Sequence, residues 1–152
     1  MGCDIHTNVE VKSNGKWTQV DKLVEDPYGP ADGDVSYPTL ALIVIEPIYD
    51  SRNYTVFGLL AGIRGNVTPV KSPRGIPEDT SDTIRESWEL YAGHTSHYYT
   101  LAELETINRR NKKAYVAETA DFFSTVLPKL KSIQEEHKVT TKEVRLVFWF
   151  DS

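Results

Sequence analysis

The chain opens and closes on runs that only β-strands satisfy. Between Cys3 and Val11, Ile5, Thr7, Val9 and Val11 alternate with Asp4, His6, Asn8 and Glu10, the two-residue period of a strand. The closing run, Glu143 to Asp151, puts Val144, Leu146, Phe148 and Phe150 on one face. It is so rich in β-branched and aromatic residues that a central place in a sheet is expected. Ser13-Asn14-Gly15-Lys16 joins the opening run to a return strand at Lys16 to Val20, and Asn-Gly is a hairpin signal because both residues tolerate positive φ.

Helical patterns fill most of the interval. Tyr54 to Ile63 has apolar residues at helical spacing with Gly65 beyond its end, and Ser81 opens a helix to about Tyr91 that Gly93 closes. Thr100-x-x-Glu103 is a capping box for a short helix. The longest helix is expected between Val116 and Lys138, kinked or split by Pro128. Leu40 to Ile48 is strand or helix, and the turn-forming stretch from Asp26 to Pro38 reads as a long exposed loop. These patterns predict one α+β domain over 1–152. A mainly antiparallel sheet, including the N-terminal hairpin and the C-terminal strand, packs against several helices.

Cys3 is the single cysteine, so no internal disulfide forms, and the longest apolar run, Leu40 to Ile45, is too short for a bilayer. A cytoplasmic protein is expected, the host cytoplasm if it is phage-encoded. The net charge of −5 and the lack of any long Lys/Arg run argue against a non-specific nucleic-acid coat. The one basic cluster, Arg109-Arg110-Asn111-Lys112-Lys113, reads as a solvated helix end or loop.

Against that acidity, residues 51–77 contain Arg52, Arg64, Lys71 and Arg74 and no Asp or Glu, which leaves −9 for the remainder. An acid-free island of this kind points to negative charge supplied by a bound anion. Arg52-Asn53-Tyr54 offers a guanidinium, an amide and an aromatic ring in three residues, while Arg64 and Arg74 each precede a glycine. Asp4 and His6 leave one face of a strand, and His94 and His97 stand three apart in what reads as a loop after Gly93.

Met1-Gly2-Cys3-Asp4-Ile5-His6, Arg52-Asn53-Tyr54-x-x-Phe57, Pro73-Arg74-Gly75-Ile76-Pro77, His94 to Leu104 and Val147-Phe148-Trp149-Phe150-Asp151 together resemble a family of small bacteriophage and prophage proteins. Members often carry a His-Ser pair where this chain has His97-Tyr98. The resemblance spans the chain and implies a phage origin rather than an activity. With the arginine island it leads to the expectation of an accessory protein that sequesters a phosphorylated nucleotide-type ligand, such as a host defence signal. Arg52, Arg64 and Arg74 then hold phosphate and Tyr54 stacks on a base, with Asn53, Asp4, His6, His94 and His97 beside them. The loop from Tyr28 to Pro38, or a second subunit in a homo-oligomer, completes the wall. The alternative is a phosphoester hydrolase in which Asp4, His6, His94 and His97 hold Zn or Mn. A third reading makes Trp88, Tyr91, Tyr98 and Tyr99 a protein interface.

Overall fold

The computed structural model describes residues 2–26, 42–65, 67–91 and 93–152. The expected loop from Asp26 to Pro38 therefore lies, from residue 27 on, outside the described residues. Both terminal runs are strands of one sheet, as their alternation predicts. Strand β1 (Asp4–Ser13) turns at Asn14 and Gly15, with φ of 53° and 75°, into β2 (Lys16–Gln19). The closing strand β6 (Val144–Asp151) pairs antiparallel with β1 along its whole length, from Asp4 opposite Asp151 to Val11 opposite Val144. On the far side of β6 lies β5 (His94–Thr100), so the order is β2-β1-β6-β5. A separate ribbon pairs β3 (Leu23–Glu25) with β4 (Leu42–Val44), so three residues of the ambiguous run Leu40 to Ile48 are strand, residues 45–48 are neither strand nor helix, and residues 40–41 lie outside the described residues.

Strand β5 replaces the expected histidine loop. Its alternation is broken by a bulge between His94 and His97, where Thr95 has φ of 55°, so the two-residue period does not show in the sequence. The same bulge puts both histidines on the side of β6 that carries Phe148 and Phe150.

Helix α1 (Tyr54–Ala61) is capped by the Asn53 side chain, which accepts from the Val56 amide at 3.1 Å, and ends at Gly62 rather than near Gly65. Gly65 is held small for another reason: a Cβ there would lie 2.6 Å from the Tyr54 carbonyl. Helix α2 (Asp82–Tyr91) follows Ser81, and α3 (Leu101–Arg109) begins with the predicted capping box of Thr100 and Glu103. Helix α4 (Lys113–His137) starts three residues before Val116 and runs through Pro128 without splitting. Phe122, Phe123, Val126 and Leu130 anchor it on both sides of the proline, and their burial offsets the hydrogen bond that proline forfeits.

The main core lies between one sheet face and helices α1, α3 and α4. Ile5, Val9, Val11, Leu146, Phe148 and Phe150 meet Phe57, Leu60, Leu104, Phe122 and Leu130 there. Across the sheet, Val147 and Trp149 pack on Ile84 and Trp88 of α2 in a smaller cluster. No helix among the described residues is long and apolar enough to cross a membrane.

Candidate functional site

The residues singled out in the sequence fall into two groups. The first gathers at the end of the sheet where β1 starts and β6 finishes. Asp4 and Asp151 are register partners, so two carboxylates face each other across the strands, an arrangement that repels unless each charge is met. Arg52 meets Asp4 with Nε donating to Oδ1 at 2.6 Å and Nη2 to Oδ2 at 3.2 Å. That fork holds the Asp4 carboxyl below its ordinary range. His6 Nε2 lies 2.5 Å from Asp151 Oδ2, and its ring stacks on Trp149. Gly2 makes room for the fork, since a Cβ there would sit 2.0 Å from Arg52 Nη1.

Asn53 and Tyr54 serve the fold beside this pair. Asn53 caps α1 while its Nδ2 donates to the Glu118 carbonyl and to Asp121 Oδ1, both at 2.7 Å, and Tyr54 accepts from the Cys3 amide through its hydroxyl. Arg64 reaches the neighbourhood of Cys3, where its charge works against the burial that pushes the thiol pKa up. His94 faces the other side of the sheet from His6: Nε2 lies 2.9 Å from Ser152 Oγ and the ring stacks on Phe150. Asp4, His6, Asn8, Asp50, Trp149 and Asp151 line a cleft of about 890 Å³ with no Lys or Arg in its lining.

The second group lies along the β5 edge. The Arg74 amide donates to His97 Nδ1 at 3.2 Å, and the Gly75 amide donates to the Ser96 carbonyl. His97 is fully buried against Tyr99 and Phe148. Burial, with the Arg74 charge adding to it, lowers its pKa to about 4 and keeps it neutral near pH 7. The Arg74 guanidinium lies 4.0 Å above the Tyr98 ring and donates to the Tyr98 carbonyl and to both Glu103 oxygens. Lys71 Nζ reaches Glu103 Oε2 at 2.5 Å. Burial would raise the Glu103 pKa, but Lys71, the Thr100 amide and Arg74 outweigh it and bring it to about 2. Arg52, Lys71 and Arg74 of the acid-free island thus have carboxylate partners, supplied by Asp4 and Glu103 from outside it.

The four side chains of the metal alternative do not converge. Asp4 and His6 project on the Trp149 side of the sheet, while His94 and His97 project on the Phe148 side, where His97 is enclosed by aromatic rings. Among the described residues no group of three or more His, Cys, Asp or Glu side chains is placed to hold a metal ion.

The basic cluster before α4, by contrast, borders a pocket. Val67, Thr68, Val70 and Lys71 of the island line a cavity of about 530 Å³ together with Arg110, Asn111, Lys112 and Tyr115. Leu59, Ala102 and Ile107 also line it. Among the described residues its only carboxylate is Glu103, already shared by Lys71 and Arg74. Arg110 and Lys112 have no side-chain hydrogen bond or ion pair among the described residues. Lys112 is also the N-cap of α4, where no side chain caps the helix and the first turn holds no acid. The partial positive charge of a 25-residue helix therefore adds to that of the two side chains.

Family models, curated proteins and solved structures were all compared with the chain. None matches it. Its function must be read from its own geometry.

The sequence had displayed Arg109 to Lys113 as a cluster, and the acid-free island separately. What it did not display is that both line one pocket, with Lys71 paired to Glu103 of α3, a relation set by tertiary packing rather than by spacing.

Proposed function

We propose that this protein binds and sequesters a small anionic ligand of phosphorylated nucleotide type in the pocket between residues 67–71 and the start of α4. The observation that carries the reading is one lining that combines apolar side chains with cations lacking a partner among the described residues: Leu59, Val67, Val70 and Ile107 together with Arg110 and Lys112. An apolar cavity with a few convergent charges suits a ligand with a planar or apolar body and an anionic end. Tyr115 supplies an aromatic surface for a base, and the open N-terminus of α4 favours the phosphate near Lys112.

This keeps the anion expected from the acid-free island but moves its position. Lys71 is the island cation that lines the pocket, while Arg74, outside the lining, bonds Glu103. Binding is favoured over hydrolysis because, among the described residues, the pocket lining contains no histidine and one carboxylate, which is ion-paired and strongly acidic and so a poor general base. Sequestration also fits a phage accessory role, in which holding the ligand suffices.

The test is a thermal-shift and calorimetric screen of nucleotides with wild-type protein and with Arg110→Ala/Lys112→Ala. Wild type should be stabilised by a ligand that the double variant no longer binds, and heat release should return that ligand intact. Retained binding in the double variant, or recovery of a cleaved product, would overturn the reading.

A further inference from the structure

Resting on the reading just given, we infer that the ligand is a phosphomonoester dianion and not a singly charged phosphodiester. Among the described residues, Lys71, Arg110 and Lys112 line the pocket against the single carboxylate of Glu103, a surplus of two positive charges before Arg74 is counted. Arg74 bonds both Glu103 oxygens, so part of the Glu103 charge is already answered from outside the pocket and the surplus facing the ligand is larger still. A phosphodiester carries one negative charge. A terminal phosphate carries two above its second ionisation near about pH 6 and presents three acceptor oxygens instead of two. Neutralising the surplus while giving Lys71, Arg110 and Lys112 an oxygen each therefore selects the monoester.

Size narrows the competing diesters to cyclic mononucleotides and leaves those to the charge argument. At about 530 Å³ the pocket is in the range that encloses one drug-sized ligand. A mononucleotide is of that scale, and two linked nucleotides would have to leave one outside.

Calorimetry with the four nucleoside 5′-monophosphates and the 3′,5′-cyclic monophosphates of the same bases, at fixed ionic strength, separates the possibilities. At pH 7.5 the 5′-monophosphate of at least one base should bind about tenfold more tightly than its cyclic counterpart, and the gap should close near pH 5, where the second charge is lost. Glu103 stays ionised over that range and no histidine lines the pocket, so the change belongs to the ligand. Glu103→Gln keeps an acceptor for the capping box and removes the competing charge, and should tighten binding of the 5′-monophosphate several-fold. Equal or tighter binding of the cyclic forms, with Lys112→Ala weakening both, would overturn the dianion assignment and leave the pocket reading standing. Weaker binding by Glu103→Gln would also overturn it, by making Glu103 a ligand contact. Absence of binding by every nucleotide tested would remove both proposals.

Discussion

Glu10 and Arg145 are register partners across β1 and β6, and they meet at 2.7 Å with side chains 0% and 5% exposed. Thr80 and the Ser81 amide donate to the other Glu10 oxygen, and Arg145 reaches Asp79 at 3.0 Å while lying over the Trp17 ring. The pair ties the sheet to the turn that starts α2. Glu10→Ala leaves a guanidinium enclosed without its main partner and should cost about 3–5 kcal/mol. Glu10→Leu combined with Arg145→Met should cost markedly less, because no charge is then stranded. Urea denaturation of the three proteins measures both, and a near-neutral single variant would mean that water reaches the pair.

Phe148 lies at the middle of β6, fully buried and in ring contact with His97, Tyr99 and Phe150. Phe148→Ala should lower stability by about 3–5 kcal/mol through lost burial and the cavity left behind. Trp149 points to the opposite, smaller cluster with Ile84 and Trp88, which has fewer neighbours to leave unsupported. Trp149→Ala should therefore cost less than Phe148→Ala. Paired denaturation curves decide the order, and the reverse order would show that the α2 side carries more of the core than its packing indicates.

What the sequence made legible was local. The alternations of β1 and β6 survive because each has one apolar face over its full length, and the Asn14-Gly15 turn and the Thr100-Glu103 box depend only on residues within hydrogen-bond reach along the chain. Strand β5 was hidden because its bulge breaks the period, and β3 and β4, three residues each, are too short to show one. The site was hidden for a different reason. Arg52 finds its acid 48 residues away and Lys71 finds its own 32 away, so an acid-free stretch of sequence became a paired stretch of surface. Arg110 and Lys112 looked like any solvated helix end until the 67–71 segment was laid against them.

His97 gives the fold a defined acid sensitivity. Its folded pKa, about 4, lies below the ordinary value of 6.5, so the unfolded chain binds the proton more readily. Stability from this group is complete above about pH 6.5 and is lost as pH falls from there towards 4, by up to about 3 kcal/mol at roughly 1.4 kcal/mol per unit. Glu103, lowered to about 2, loses its contribution only at more acid pH. Asp21, raised by burial, works in the opposite sense as it protonates. The difference between wild type and His97→Gln isolates the histidine, since Gln retains an acceptor for the Arg74 amide. Melting temperatures across pH 4 to 7 should fall more steeply for wild type, and parallel curves would assign the acid sensitivity elsewhere.

Arg52 and Lys112 should respond in opposite ways to the same change. Arg52 is paired with Asp4 on an open surface with both side chains about half exposed, and such pairs add little to stability. It lies at the sheet end, outside the lining of the 530 Å³ pocket. Arg52→Ala should therefore leave the melting temperature and nucleotide affinity of the protein close to wild type. Lys112→Ala removes a cation with no partner of its own among the described residues, so it should also leave the free protein stable while weakening anion binding about tenfold. Calorimetric titration of both variants with one nucleotide at two salt concentrations makes the comparison. Loss of binding in Arg52→Ala with full binding in Lys112→Ala would return the ligand to the sheet end, because no ion pair inside the pocket would then be contributing to its capture.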